Sequence, residues 1–247
     1  MTALKYTDAH CHTYEIDLVK LDGLGKLFEL IVSVSDDAES SLKTLKLGER
    51  YKYIVPCVGI HPWSTNKENL DDELKLIEKL ASTTDLRCLG EIGLDKAFVP
   101  ETFNTQLKVF RRLLEIARDY DLAVNLHAAN AWKQTFEEVL RYGIRRALFH
   151  WYSGPLDVLH ELVARGYFIS INPAVKISTR HLSVAKKVPT RALLFESDGP
   201  YLYRGLNLNP EMIPETVELL AVERNIEPSE LVKITENNLM RFLGLDR

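Results

Sequence analysis

Histidines and carboxylates recur along the chain at the points where short apolar runs end. His10 and His12 are separated by one residue, so on a β-strand both imidazoles face one side and Cys11 faces the other. The other members of this set are His61, Glu91, His127, His150 and Asp198. Imidazole and carboxylate groups are common protein ligands of divalent transition metals. The set therefore predicts a metal site, provided that the fold brings its members together.

The charge of these groups indicates how many ions they hold. Apart from His61, which precedes Pro62 in a bend, the set contains four imidazoles and two carboxylates. With neutral imidazoles the set carries about −2, so two divalent cations leave about +2 to hold a hydroxide and an anionic substrate. One cation would leave the site near neutrality. The ligand mixture suits Zn, Mn, Fe or Co better than an all-oxygen Mg site. Zn, Mn and Mg stay open as the native ion.

Short apolar runs alternate with longer helical patterns along the whole chain. The predicted strands cover Tyr6–His12, Glu29–Val34, Tyr53–Gly59, Leu86–Glu91, Ala123–His127, Ala147–His150, Tyr167–Ile171 and Ala192–Glu196. The predicted helices, which repeat apolar residues every three or four positions, cover Asp37–Tyr51, Leu70–Ala81, Thr102–Tyr120, Ala131–Tyr142, Pro155–Arg165, Thr179–Val188 and Pro210–Asn225. The first connection, between His12 and Glu29, is less regular, and Pro228–Leu243 is predicted to be an extra C-terminal helix.

This alternation predicts an α/β protein with a parallel sheet. Eight strand and helix repeats favour a closed (β/α)8 TIM-type barrel over an open doubly wound sheet. The absence of a Gly-rich phosphate loop after the first strand also argues against the open sheet. We expect residues 1–247 to form one domain, because no linker or repeat divides the chain. In such a barrel the carboxyl ends of the strands meet at one mouth, which is where the metal-ligand candidates fall.

The composition excludes several classes of protein. With 46% hydrophobic and 27% charged residues, the chain has the composition of an ordinary globular protein. Its formal net charge of −4 provides no broad cationic surface for binding duplex phosphates. The chain has no apolar run long enough to span a membrane and no signal-peptide core at its start, so we expect a soluble, cytoplasmic protein.

The cysteines are expected to pack in the core. There are three of them, Cys11, Cys57 and Cys88, widely separated and without a CxxC pair. This pattern argues against both a disulfide framework and a structural zinc ribbon.

Several motifs resemble those of the TatD family of metal-dependent deoxyribonucleases, which belongs to the amidohydrolase-like barrels. They are Asp8–His12 (DAHCH), Val58–Pro62 (VGIHP), Gly90–Asp95 (GEIGLD), Gln106 with Phe110, Phe149–Gly154 (FHWYSG), Leu194–Pro200 (LFESDGP) and Asn238–Phe242 (NLMRF). The matches extend over nearly the whole chain.

The resemblance implies two metal sites that share Glu91 as a bridging ligand. The other ligands are His10, His12 and Asp198 at the first site and His127 and His150 at the second. His61 is expected to contact the substrate or to support a ligand.

Two departures from the family pattern concern the substrate. Where the family often has an arginine two residues after its fifth-strand histidine, this chain has Ala129, and Lys96 replaces a common aromatic residue. We therefore expect Lys96 and Arg204 to contact substrate phosphates. His160 and His181 match no motif and are expected to be structural or solvated.

These features predict a two-metal hydrolase of phosphodiester bonds, a TatD-type exonuclease acting on single-stranded DNA ends. Asp198 is expected to accept the proton of the attacking hydroxide, with Glu91 and His61 completing the catalytic set. Hydrolysis of a small amide, lactone or phosphoester is an alternative, because the same ligands activate water against carbonyl carbon. A non-catalytic metal-binding scaffold is a third possibility.

Overall fold

The eight strands of the main sheet follow one another in space in the same order as in the sequence. The computed structural model describes residues 4–246. The strands are β1 (Tyr6–Cys11), β2 (Phe28–Ser33), β3 (Ile54–Val58), β4 (Cys88–Gly93), β5 (Ala123–His127), β6 (Ala147–Phe149), β7 (Phe168–Ile171) and β8 (Leu193–Phe195). Each is parallel to the next. The predicted (β/α)8 barrel is confirmed, and it is nearly closed.

Helices connect the strands and cover the outside of the barrel. They are α1 (Leu18–Leu24), α2 (Ala38–Arg50), α3 (Leu70–Thr83), α4 (Phe103–Asp119), α5 (Trp132–Arg141), α6 (Leu156–Ala164), α7 (Thr179–Ala185), α8 (Ile213–Arg224) and the additional C-terminal α9 (Pro228–Leu243). Helix α1 lies in the first connection, where the sequence pattern was irregular. None of the helices in residues 4–246 is long and apolar enough to cross a membrane.

A small antiparallel hairpin follows β8 and was not predicted. Its strands are β9 (Tyr201–Tyr203) and β10 (Leu206–Leu208). The turn between them places Arg204 at φ 49° and Gly205 at φ 84°, as two-residue hairpin turns require. The strands are only three residues long, which is too short for a clear alternating pattern.

The interior of the barrel is apolar at the amino-terminal ends of the strands, where α9 covers it. Strand residues that point inward pack there against Leu239, Phe242 and Leu243 of α9. The strand residues of this cluster are Ala9, Val32, Cys57, Cys88, Ala123, Leu148, Phe168 and Leu194. The candidate metal ligands lie at the opposite, carboxyl end of the barrel.

Backbone hydrogen bonds join the segment after β8 to the end of β1. The Asp198 N–H donates to the carbonyl oxygen of His10 (2.9 Å), and the His12 N–H donates to that of Gly199 (2.8 Å). Three predicted metal-ligand residues therefore lie at this seam of the barrel.

The structure corrects the prediction for two of the three cysteines. Cys57 and Cys88 form a disulfide, whereas Cys11 is free and buried. Cys57 and Cys88 are direct neighbours in the register of β3 and β4, with Cα atoms 4.9 Å apart, a separation that a disulfide can span. The pairing is not visible in the sequence because α3 separates the two strands.

We expect Phe242→Ala to destabilise the fold by about 3–5 kcal/mol, because it leaves a cavity beneath the barrel. Phe242 is 0% exposed. Denaturant unfolding measures the change. The control is Val222→Ala on the outer face of α8, which is 82% exposed and should change stability by less than about 0.5 kcal/mol. Equal, small effects of both variants would contradict the role given to α9.

Candidate metal centre

The structure brings all the predicted metal-ligand residues, and His61, to one point at the carboxyl end of the barrel. Each of them lies at or just after the end of a strand. They are His10, His12, His61, Glu91, His127, His150 and Asp198. Glu91 is at the centre and has 2% of its surface exposed.

One carboxylate oxygen of Glu91 faces His10 in β1 and His12 just after it. Glu91 Oε2 lies 3.3 Å from His10 Nε2 and 3.5 Å from His12 Nε2. The same two nitrogens lie 3.4 Å and 3.5 Å from Asp198 Oδ1. His10, His12 and Asp198 form a group whose ligand atoms are close enough to share one ion.

The other carboxylate oxygen of Glu91 faces a different set of imidazoles. Glu91 Oε1 lies 2.8 Å from His127 Nδ1, 2.9 Å from His150 Nε2 and 3.3 Å from His61 Nε2. His61, Glu91 and His127 form a second group that could hold an ion. The two oxygens of Glu91 thus point into two separate ligand groups.

His61 lies closer to the second group than the sequence suggested. Its Nε2 is 3.2 Å from His127 Nδ1 as well as 3.3 Å from Glu91 Oε1. The other ring nitrogen, Nδ1, accepts a hydrogen bond from the Trp63 N–H, which orients the ring. His61 is therefore positioned like a ligand of the second group, whereas the sequence predicted that it contacts the substrate or supports a ligand.

Asn125 orients His10, and the sequence analysis did not identify it. His10 Nδ1 lies 2.8 Å from Asn125 Oδ1, and the Asn125 amide also donates to the carbonyl oxygen of Ala9. Since the amide nitrogen is committed to Ala9, the oxygen faces His10, and His10 carries a proton on Nδ1. Its Nε2 is then directed at the carboxylates with a free lone pair. Because Asn125 and His127 are two apart on β5, strand periodicity could have identified both.

Asp95 supports His127 from the other side. Asp95 Oδ2 lies 3.0 Å from His127 Nε2 and accepts a 2.6 Å hydrogen bond from Trp63 Nε1. Gln106 in turn accepts a hydrogen bond from the backbone N–H of Asp95. Gln106, which matched a family motif in the sequence, therefore holds the loop that carries Asp95.

The carboxylates shift the pKa values of the buried imidazoles. Burial alone would lower the pKa of His127, but hydrogen bonds to Asp95 and Glu91 raise it to about 9. Burial would raise the pKa of Glu91, whereas the charges of His61, His150 and His10 hold it well below its usual range. The carboxylates therefore attract positive charge to the site, and divalent cations can supply it while the imidazoles stay neutral.

The donor set fits divalent metal ions. His10 Nε2 is buried and makes no hydrogen bond, although it faces two carboxylates. Such a nitrogen is costly to bury unless it has a partner. A cation placed between His10 and the carboxylates would provide that partner. A mixture of imidazole and carboxylate ligands suits Zn, Mn, Fe or Co.

The seven residues that meet at the carboxyl end of the barrel, called the metal-ligand cluster below, lie at the floor of one large cavity, and all of them except His10 line it. The cavity has a volume of about 530 Å³, and aromatic rings line its mouth. These rings belong to Trp63, Phe98, Trp132, Trp151, Tyr201 and Tyr203. A molecule that fills the cavity therefore contacts these rings.

The chain matches known proteins along almost its whole length. The sequence model of the family described as TatD related DNase matches residues 7–244. The chain belongs to the TatD-related DNase family. It is 28% identical to human deoxyribonuclease TATDN3, covering 95% of this chain and 93% of that protein. It is also 28% identical to YcfH of Escherichia coli, described as a metal-dependent hydrolase, covering 97% of this chain and 96% of that protein.

Solved structures show the same fold. The TatD homologue YjjV of Escherichia coli superposes with a TM-score of 0.86 at 23% identity, covering 97% of this chain and 98% of that chain. At this identity the likeness concerns the fold. The TatD family match itself confirms the prediction of a hydrolase.

The two predicted substrate contacts of this TatD-family chain lie outside the cavity. The ammonium group of Lys96 lies 4.6 Å from the centre of the Phe103 ring, and Lys96 lines a separate groove. Arg204 lies at the turn of the hairpin, 5.3 Å from the ring of Tyr203. Phe103 lies outside the cavity, whereas the Tyr203 ring belongs to its lining; neither Lys96 nor Arg204 itself lines the cavity. His181, expected to be structural or solvated, instead lines the cavity.

We expect Asn125→Ala to weaken metal binding by about 10- to 100-fold, because removal of a group that orients a ligand imidazole typically has this effect. Calorimetric titration with Mn or Zn measures it. Cys11→Ala is the control, since Cys11 is buried on the opposite face of β1 and its loss should lower stability without changing metal affinity. Equal affinities in the two variants would contradict the orienting role of Asn125.

Proposed function

We propose that the protein is a two-metal phosphodiesterase that removes nucleotides from single-stranded DNA ends. The observation that carries this proposal is the position of Glu91, whose Oε2 faces one ligand group and whose Oε1 faces another. A carboxylate in this position is suited to bridge two ions. Two divalent ions supply Lewis acidity towards water and towards the phosphoryl oxygens of a diester.

Asp198 is the residue suited to accept the proton of the attacking water. Burial would raise its pKa, but the neighbouring imidazoles of His10 and His12 hold the pKa below its usual range. Asp198 is therefore ionised at neutral pH, and it lines the cavity. In this mechanism the water oxygen bonds to phosphorus, its proton moves to Asp198, and the bond to the leaving oxygen breaks. Asp198 then returns the proton to the leaving oxygen.

The surface of the protein favours an unpaired strand over a duplex. The net charge is −4, whereas duplex binding depends on an extended cationic surface. The rings at the cavity mouth include Trp63, Phe98 and Tyr201, which are 46%, 67% and 42% exposed. Exposed rings stack on unpaired bases without sequence preference. An unpaired DNA end can place one phosphate at the metal-ligand cluster while its bases stack at the mouth.

A substrate panel tests the proposal. The protein is reconstituted with Mn or Mg and incubated with single-stranded DNA, blunt duplex DNA, RNA, mononucleotides and simple amides. We expect release of nucleotides from single-stranded DNA to exceed all other reactions and to stop with a chelator. Turnover of amides without any cleavage of nucleic acid would overturn the proposal in favour of a small-molecule hydrolase. Metal binding without any turnover would favour a scaffold.

We expect two divalent ions per chain at saturation, and fewer in Glu91→Gln, because the neutral amide removes a negative ligand from both groups. Metal analysis of purified protein, together with anomalous scattering from crystals, provides the counts. Glu161→Gln, an exposed position on α6, is the matched control and should keep both ions. Saturation of the unaltered protein at one ion would rule out the bridging role of Glu91.

We expect Asp198→Asn to lower turnover by about 10²- to 10⁴-fold, the usual contribution of a positioned proton-transfer group. Rates are measured at saturating metal, and circular dichroism verifies that the variant is folded. Asp157→Asn makes the same chemical change on the exposed surface of α6 and should keep the original rate. A rate for Asp198→Asn close to that of Asp157→Asn would show that another group accepts the proton.

A further inference from the structure

The charges that line the cavity are unevenly distributed. Four carboxylates line it, those of Glu15, Asp36, Glu91 and Asp198. Among residues 4–246, Arg180 is the only lysine or arginine in the lining. Two divalent cations at the floor would balance the carboxylates, so the guanidinium of Arg180 is the one remaining positive group that a bound anion meets within the cavity.

Arg180 is held against the loop that follows β6. Its Nε and Nη2 both donate to the carbonyl oxygen of Ser153, at 2.9 Å and 2.5 Å. The guanidinium also lies 5.8 Å from the centre of the Trp132 ring, another residue of the cavity lining. Ser153 follows the metal-ligand candidate His150 by three residues. The position of the guanidinium is therefore coupled to the strand end that carries His150.

The guanidinium keeps its hydrogen-bonding capacity for a ligand. Arg180 forms no ion pair with a carboxylate of the described chain, unlike Lys176, which pairs with Glu215. A guanidinium has five N–H groups, and the contacts with Ser153 engage one from Nε and one from Nη2. Three N–H groups are left, and the two that point along the Nη1–Nη2 edge match the spacing of two phosphate oxygens.

The neighbouring His181 offers a second donor. Trp151 Nε1 donates to His181 Nδ1 over 3.3 Å, so the proton of the neutral ring is on Nε2. Burial and the charges of Arg180 and Arg204 lower the pKa of His181 to about 4. The ring is therefore neutral at neutral pH and can donate a hydrogen bond without carrying charge. His181 also lines the cavity.

We propose that Arg180 and His181 form a phosphate subsite beside the metal-ligand cluster, which binds a phosphate group of the nucleotide chain. The subsite rests on the proposed phosphodiesterase function for its ligand. It provides the orienting cation that Lys96 and Arg204 do not provide, because both of those lie outside the cavity. Arg180 positions the substrate here and does not take part in proton transfer.

The test compares a phosphorylated ligand with its uncharged counterpart. Metal-loaded protein is titrated calorimetrically with thymidine 5′-monophosphate and with thymidine. We expect Arg180→Gln to weaken binding of the monophosphate by about 10- to 100-fold, the usual effect of losing a charged hydrogen-bond partner, and to leave thymidine binding unchanged. Arg180→Lys should restore part of the affinity, since it keeps the charge but not the planar geometry. His181→Ala should cause a smaller loss.

The matched control is Arg165→Gln. Arg165 is an exposed arginine at the carboxyl end of α6. Because α6 runs antiparallel to the strands, this end lies at the face of the barrel opposite the cavity. The variant therefore changes the net charge equally without altering the cavity. On single-stranded DNA, Arg180→Gln should raise KM with little change in kcat and reduce the salt dependence of binding by about 0.7 logarithmic units per logarithmic unit of salt. Arg165→Gln should change neither quantity.

The outcomes separate the subsite from the enzymatic function. In one outcome the unaltered protein cleaves single-stranded DNA, but Arg180→Gln binds the monophosphate as tightly as Arg165→Gln does. The proposal of a phosphate subsite is then wrong and the proposed enzymatic function stands. Arg180 would in that case only hold the loop at Ser153. If Arg180→Gln loses affinity for the monophosphate while the unaltered protein cleaves only amides, the subsite stands as an anion site and the phosphodiesterase function is wrong.

Discussion

The burial of one carboxylate among five imidazoles is the constraint on which the site depends. Glu91 is almost inaccessible to solvent, and an unpaired buried carboxylate costs several kcal/mol. Nitrogen atoms from the ends of four strands surround it and compensate the charge. Only a closed barrel brings four strand ends to one point, so the chemistry of the site and the closure of the fold depend on each other.

The geometry of the site depends most directly on the seam where the segment after β8 meets the end of β1. The backbone hydrogen bonds of Asp198 with His10 and of His12 with Gly199 join the two ends of the sheet and set the positions of three candidate ligand side chains. Asp198 has a φ of 52°, an unusual conformation for a residue other than glycine. The bonds across the seam hold it there, which places the Asp198 carboxylate against His10 and His12.

The candidate metal centre was largely determined by the sequence itself. Strand side chains alternate with a period of two, so His10 and His12 had to share a face, and parallel strands in a barrel end at one mouth. These two rules place each ligand candidate from local sequence alone, without knowledge of its neighbours. Asn125, two residues before His127, follows the same rule. The order and number of the strands in the barrel could likewise be predicted from the hydrophobic pattern.

Only the tertiary structure decided which residues outside the strands reach the cavity. Lys96 and Arg204 follow strand ends in the sequence, yet neither side chain lines the cavity, and each lies beside an aromatic ring. Arg180, in contrast, comes from a helix and enters the lining. The pairing of Cys57 with Cys88 was also invisible, because it depends on the register between two strands. Loop paths, rotamers and register are set by contacts between distant parts of the chain, and local sequence patterns carry no information about those contacts.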